Sequence, residues 1–87
     1  MIAHNNHYSN FEPSLKLIHR IIQCLIKNGP ETKTQLSHNS NMNYTRLVKH
    51  VMWLEKKGLV ELTTDNLKVY LNLTDKGKKY STDILDI

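Results

Sequence analysis

Between Pro13 and Asn28 the apolar positions Leu15, Ile18, Ile22 and Leu25 step by three and four, and Ile21 and Ile26 widen the stripe. That spacing predicts one face of an amphipathic helix, with Pro13 in its first turn and Asn28-Gly29-Pro30 as its stop. Thr32 followed three residues later by Gln35 forms a capping box, which opens a short helix from Lys33 to about Asn39. The run from Asn39 to Asn43 is polar and turn-forming, with Met42 as its one apolar anchor. Asn43 then caps a third helix that Gly58 ends, and Tyr44, Leu47, Val51 and Leu54, with Val48 beside them, form its predicted core face. After Gly58 the period falls to two. Residues 59–63 and 67–72 read as strands joined by a tight turn at Thr64-Asp65-Asn66. Thr74 caps a last helix on which Tyr80, Ile84 and Ile87 fall at i, i+4 and i+7.

A short helix joined by a tight turn to a longer one is a helix-turn-helix, and a hairpin directly after it makes the winged form. The expected fold class is therefore α+β, mainly α: a three-helix core, a two-stranded wing and a C-terminal helix. At 87 residues the chain has the length of one domain. We divide it into a flexible tail, 1–11, rich in Asn and His, and a domain, 12–87.

Charge sharpens the picture. Between Lys33 and Lys57 the basic residues Lys33, Arg46, Lys49, Lys56 and Lys57 face a single acid, Glu55, so this segment holds the whole formal net charge of +4. On the third helix Lys49 and Lys56 fall opposite the Leu47–Val51–Leu54 seam, flanked by Arg46 and Thr45, while Glu55 falls toward the inner side. A one-sign face aimed at solvent points to phosphate and base contacts, since an ordinary solvated helix mixes its charges. The expected partner is double-stranded DNA, with helix 44–57 in the major groove. Arg46 and Lys49 are the expected main contacts, Asn43 and Thr45 assist at the helix start, and Lys56 extends the face. Lys33 and Thr34 hold phosphate from the second helix, and Lys68, the one basic residue of the hairpin, does so from the wing. Trp53 falls on the same outward side, where packing against the last helix or a second subunit is the expectation.

Other classes fare worse. No nucleophile–base pair, Gly-rich phosphate loop or metal-ligand cluster is present, so the chain reads as no enzyme, with no cofactor, no metal and no evident small-molecule ligand. His4 and His7 have no carboxylate or thiol beside them and read as solvated tail; Cys24 and His19 read as packing or surface groups. The longest apolar run is the four residues Val51 to Leu54, short of the about 20 of a membrane span or the about 7–15 of a signal peptide core. We expect a cytoplasmic, nucleoid-associated protein. The alternative is a winged-helix protein–protein interaction module without DNA binding, docking through Met52 and Trp53. The acid-free basic face argues against it. RNA binding is the third reading, lowered by the lack of clustered aromatics on the strands.

The segments Thr32-Lys33-Thr34-Gln35-Leu36, Asn43-Tyr44, Lys57-Gly58-Leu59-Val60 and Leu73-Thr74-Asp75-Lys76-Gly77 carry a resemblance. Over about residues 13 to 82 the chain resembles the small archaeal winged-helix proteins, a group that includes DNA-binding proteins of Sulfolobus once described as chromatin proteins. The resemblance implies a DNA-binding homodimer whose last helices pair across a two-fold axis. Members often carry a much longer C-terminal helix; here the chain ends at Ile87, so the expected seam of Tyr80, Ile84 and Ile87 is short.

Overall fold

The computed structural model describes residues 11–85, with side chains through Ser81. Residues 1–10 of the tail, including His4 and His7, the side chain of Ile84 and all of Ile87 lie outside the described residues. The elements are α1 (Leu15–Asn28), α2 (Lys33–Asn39), α3 (Tyr44–Lys56), β1 (Val60–Asp65), β2 (Lys68–Leu73) and α4 (Asp75–Leu85). This is the expected winged helix-turn-helix order, mainly helical with one two-stranded antiparallel sheet.

Each helix starts where a side chain takes over an orphan backbone N–H. Ser14 Oγ accepts from Leu17 N–H at 3.3 Å, which leaves Pro13 just outside α1. The capping box of α2 is closed: Gln35 N–H donates to Thr32 Oγ1 at 3.1 Å and Thr32 N–H to Gln35 Oε1 at 3.0 Å. Asn43 Oδ1 accepts from Arg46 N–H at 3.2 Å at the head of α3. Between α2 and α3, Ser37 Oγ donates to the Met42 carbonyl at 2.6 Å and Met42 N–H returns to the Ser37 carbonyl at 3.0 Å. Asn41 takes the left-handed φ of 54° that this sharp turn needs, which Asn tolerates better than most residues.

The core is where the three helical faces and β2 meet: Ile18, Ile21 and Ile22, Leu36, Leu47, Val51 and Leu54, and Leu71 are all fully buried. Tyr44 is a correction. Expected on the core face, it is 50 % exposed, because the first turn of α3 projects beyond the helices that would cover it; Met42, in the preceding turn, is buried instead.

The hairpin also departs from expectation. Asp65 pairs with Lys68, so the turn is the two residues Asn66 and Leu67, and Leu67 belongs to the tip instead of to β2. Both take left-handed φ, 50° and 68°. Two-residue hairpin loops of this kind match the strand twist, but the second position favours Gly, and a leucine there costs roughly 1–2 kcal/mol of strain. Alternation along the register puts Val60, Leu62, Leu71 and Val69 on one face, buried near the helices and exposed farther out. The loop before α2 is hooked onto the wing by Leu71 N–H to the Glu31 carbonyl at 2.7 Å and Glu31 N–H to the Leu71 carbonyl at 3.3 Å.

Candidate nucleic-acid interface

The buried seam of α3, Leu47, Val51 and Leu54, fixes which residues turn outward. Thr45, Arg46, Lys49 and Lys56 are all exposed, as the sequence predicts. Met52 and Tyr44 join them as exposed residues of the same helix. Tyr44 is a further candidate contact that sequence reasoning placed in the core: its hydroxyl can donate a hydrogen bond beside the Arg46 end of α3. Its place at the first helical position, ahead of the covered turns, is the signal that separates it from Leu47 and Val51.

The remaining expected contacts lie on α2, in the turn before α3 and on the wing. Lys33 is half-buried and Thr34 exposed in the first turn of α2. Asn43 is exposed, but its side-chain oxygen is committed to capping Arg46 N–H, leaving its amide N–H₂ to reach outward. Lys68 is exposed at the base of the hairpin tip, paired with Asp65 in the strand register. Glu55, expected toward the inner side, is exposed next to the fully buried Leu54, so the solvent side of α3 carries one acid among its cations. Trp53 does not stand out into solvent. It is half-buried against the core cluster, with the Lys57 ammonium 5.7 Å from its ring centroid, a cation–π contact that draws one of the five cations toward the protein.

What holds α3 at its angle is a histidine that the sequence did not single out. His50 is buried, and its Nδ1 is 2.8 Å from the Arg46 carbonyl while its Nε2 is 3.1 Å from Ser14 N–H. Because Ser14 N–H donates only, Nε2 is the acceptor and Nδ1 carries the proton of the neutral ring. The Phe11 ring stands edge-on at 5.2 Å. One imidazole thus pins the segment before α1 to the first turn of the basic helix. Its position three residues after Leu47, at the edge of the buried seam, was the available signal. Arg20 adds a second brace from α1, donating through Nη1 to the Ser40 carbonyl at 3.4 Å in the turn.

Burial, then the negative charge of Glu31, pushes the Cys24 thiol up, so it stays protonated near neutral pH and is a poor nucleophile. Among the described residues no group of three or more His, Cys, Asp or Glu gathers as a metal site, and no helix is long and apolar enough to cross a membrane.

The comparisons agree with this geometry. A family model described as "Winged helix-turn-helix" matches residues 13–87. A MarR family transcriptional regulator from Silicibacter pomeroyi has a solved structure that superposes with a TM-score of 0.69 at 27 % identity, over 80 % of this chain and 51 % of that one. Sso10a-2, a DNA-binding protein from Sulfolobus solfataricus, superposes with a TM-score of 0.66 at 24 % identity, over 79 % of this chain and 74 % of that one. The phenylalanine–tRNA ligase alpha subunit of Methanopyrus kandleri is 30 % identical over 64 residues, 74 % of this chain but only 12 % of the ligase subunit. The chain thus spans about half the length of the first regulator and an eighth of the ligase subunit. With the core, capped turn and wing all in place, the chain belongs to the winged helix-turn-helix family.

Proposed function

We propose that the chain binds double-stranded DNA as a transcription regulator, with α3 laid in the major groove. The observation that carries this reading is the outward face of α3, where Arg46, Lys49 and Lys56 are exposed behind a pinned helix-turn-helix. Arg46 and Lys49 read base edges, Tyr44, Asn43 and Thr45 contact the groove wall at the helix start, and Lys56, Lys33 and Thr34 hold phosphates. Residues 12–87 act as the binding unit, with 1–11 as a tail, in the cytoplasm on the nucleoid. The test is binding to random duplex, to the DNA upstream of its own gene and to a structured RNA across a salt series. Duplex affinity that falls steeply with salt and exceeds that for RNA supports the reading; equal or tighter RNA binding sinks it. Lys68→Ala is expected to weaken all duplexes alike and lower the salt slope by about one unit. A loss confined to certain sequences would instead make the wing lysine a base reader.

The proposed assembly is a homodimer. On α1, Leu15 and Ile26 are 62 % and 52 % exposed, and α4 packs alongside that helix with Tyr80 half-buried against the core. We infer that these residues, with Ile84 and Ile87, which follow Tyr80 at i+4 and i+7 in the sequence, form an apolar seam that a two-fold axis through α1 and α4 would cover. Such a pair sets two α3 helices about 34 Å apart, one turn of duplex. Sedimentation is expected to give a dimer at tens of micromolar, and Ile84→Asp a monomer (concentrations on the order of a typical working range). A monomeric intact chain contradicts the two-fold arrangement.

A further inference from the structure

We propose that the cleft between the α1–α2 loop and α2 binds a small organic monocation carrying N–H donors, an alkylammonium or alkylguanidinium, whose charge pairs with the buried carboxylate of Glu31. The site does not depend on DNA binding. The cleft measures about 600 Å³, within the range of about 300–1,000 Å³ that small-molecule sites occupy, and Pro30, Glu31, Thr34, His38 and Asn39 are in its wall. Glu31 is only 4 % exposed, and its backbone is hooked in both directions to Leu71 of the wing, which fixes where the side chain starts. Asn39 Nδ2 donates to Oε2, but Oε1 has no hydrogen-bond partner and is shut off from bulk solvent. A buried carboxylate with one oxygen unmet is costly, and a neutral amide on the other oxygen does not offset its charge. Among the described residues no cation does so: Lys27, whose charge acts with that of Glu31 on the Cys24 thiol, is exposed and makes no hydrogen bond to the carboxylate.

The chemistry of the wall selects the occupant. A carboxylate repels anions. A bare metal ion needs several protein ligands, and among the described residues no three of His, Cys, Asp or Glu gather to supply them. Water would give Oε1 a hydrogen bond but no countercharge. A cation with N–H groups gives both, and such charge-assisted bonds are about twice as strong as neutral ones. The Thr34 hydroxyl can accept a second N–H, and the Pro30 ring offers an apolar surface to a short alkyl body. One positive charge is the limit, because Lys27 and Lys33 stand in the chain on either side of the loop and would oppose a second. Asn39, exposed at the last position of α2, is the part of the wall that rotates aside to bring the cation to both oxygens. A cation held there ties α2 to the loop and, through Leu71, to the wing, so it stabilises the folded chain.

The experiment titrates the full chain with methylguanidinium, methylammonium and tetramethylammonium chlorides at constant ionic strength, following backbone amide NMR shifts and the melting temperature. The first two are expected to give saturable shifts centred on residues 28–39 and to raise Tm. Tetramethylammonium, which carries the charge but no N–H, is expected to do neither. Glu31→Gln keeps the shape and removes the charge, so it should melt at or above the wild-type temperature and bind both ligands about tenfold more weakly or worse. His38→Trp, at an exposed position of the wall, fills the cleft with the carboxylate intact, and a loss of about the same size is expected. Binding that survives both substitutions, or an equal response to tetramethylammonium, overturns the site. So does a wild-type chain that neither methylguanidinium nor methylammonium saturates, which would leave the carboxylate to water. A Glu31→Gln chain that melts well below wild type overturns it too, since the charge would then be compensated within the chain.

Discussion

Replacing Arg46 and Lys49 together by alanine is expected to lower duplex affinity at least a hundredfold while leaving the fold intact. The two side chains are exposed on α3 and enter no hydrogen bond of the core; only the Arg46 backbone is engaged, by Asn43 and His50. Stability should therefore move by no more than about 0.5 kcal/mol, as for other exposed positions free of special contacts. Binding loses much more. A bidentate arginine on a guanine edge carries about 1–3 kcal/mol of discrimination, and each phosphate contact adds its share of counterion release. The single variants separate the roles: a base reader loses selectivity between sites, whereas a phosphate contact lowers affinity on all duplexes and flattens the salt slope by about one unit. Fluorescence anisotropy on a specific and a random duplex reads both. A double variant that folds as wild type and binds within threefold of it would remove α3 as the reading helix.

How much of this was legible in the sequence follows from what each signal depends on. The caps at Thr32, Asn43 and Thr74 were readable because capping is local: the donor and acceptor are three residues apart and need no tertiary partner. The buried seam of α3 was readable from periodicity alone, except at Tyr44, where exposure depends on how far the neighbouring helices extend. Periodicity tells which way a residue points and not whether anything lies there. The hairpin turn, expected at Thr64-Asp65-Asn66, lies at Asn66-Leu67: Thr64 and Asp65 continue β1, leucine reads as strand, and only the pairing of Asp65 with Lys68 shows where the tip is. His50 was out of reach for the same reason as Tyr44, inverted. Its value lies in Ser14, thirty-six residues away, and in Phe11. Charge placed the candidate interface, but the structure draws one of its cations aside, with the Lys57 ammonium over the Trp53 ring.

Gly77→Ala is expected to be the most damaging single substitution for stability, at about 3 kcal/mol. A methyl group at Gly77 would sit 2.0 Å from the Leu59 carbonyl oxygen and 3.0 Å from both the Leu59 carbonyl carbon and Leu73 Cδ2. The obstacle is backbone, so no side-chain rotation relieves it. That carbonyl also accepts Thr74 N–H at 3.1 Å, and Thr74 Oγ1 bridges Gly77 N–H at 3.0 Å and the Gly58 carbonyl at 2.7 Å. Pushing α4 away therefore breaks its own cap as well as its seat on the start of the wing, which explains why the Leu-Thr-Asp-Lys-Gly segment carries its glycine. For a domain of this size the shift corresponds to a fall in Tm of roughly 12–24 °C. Gly29→Ala is the control. Its φ of 78° is strained for alanine, but nothing lies within 4 Å, so only about 1 kcal/mol should be lost. Urea unfolding of both variants compares backbone strain with close packing. Equal losses at the two glycines would mean that α4 shifts freely on Leu59 and that its seat there is not what fixes the last helix. If α4 also forms the dimer seam, Gly77→Ala should in addition raise the concentration at which dimers appear, a change Gly29→Ala should not produce.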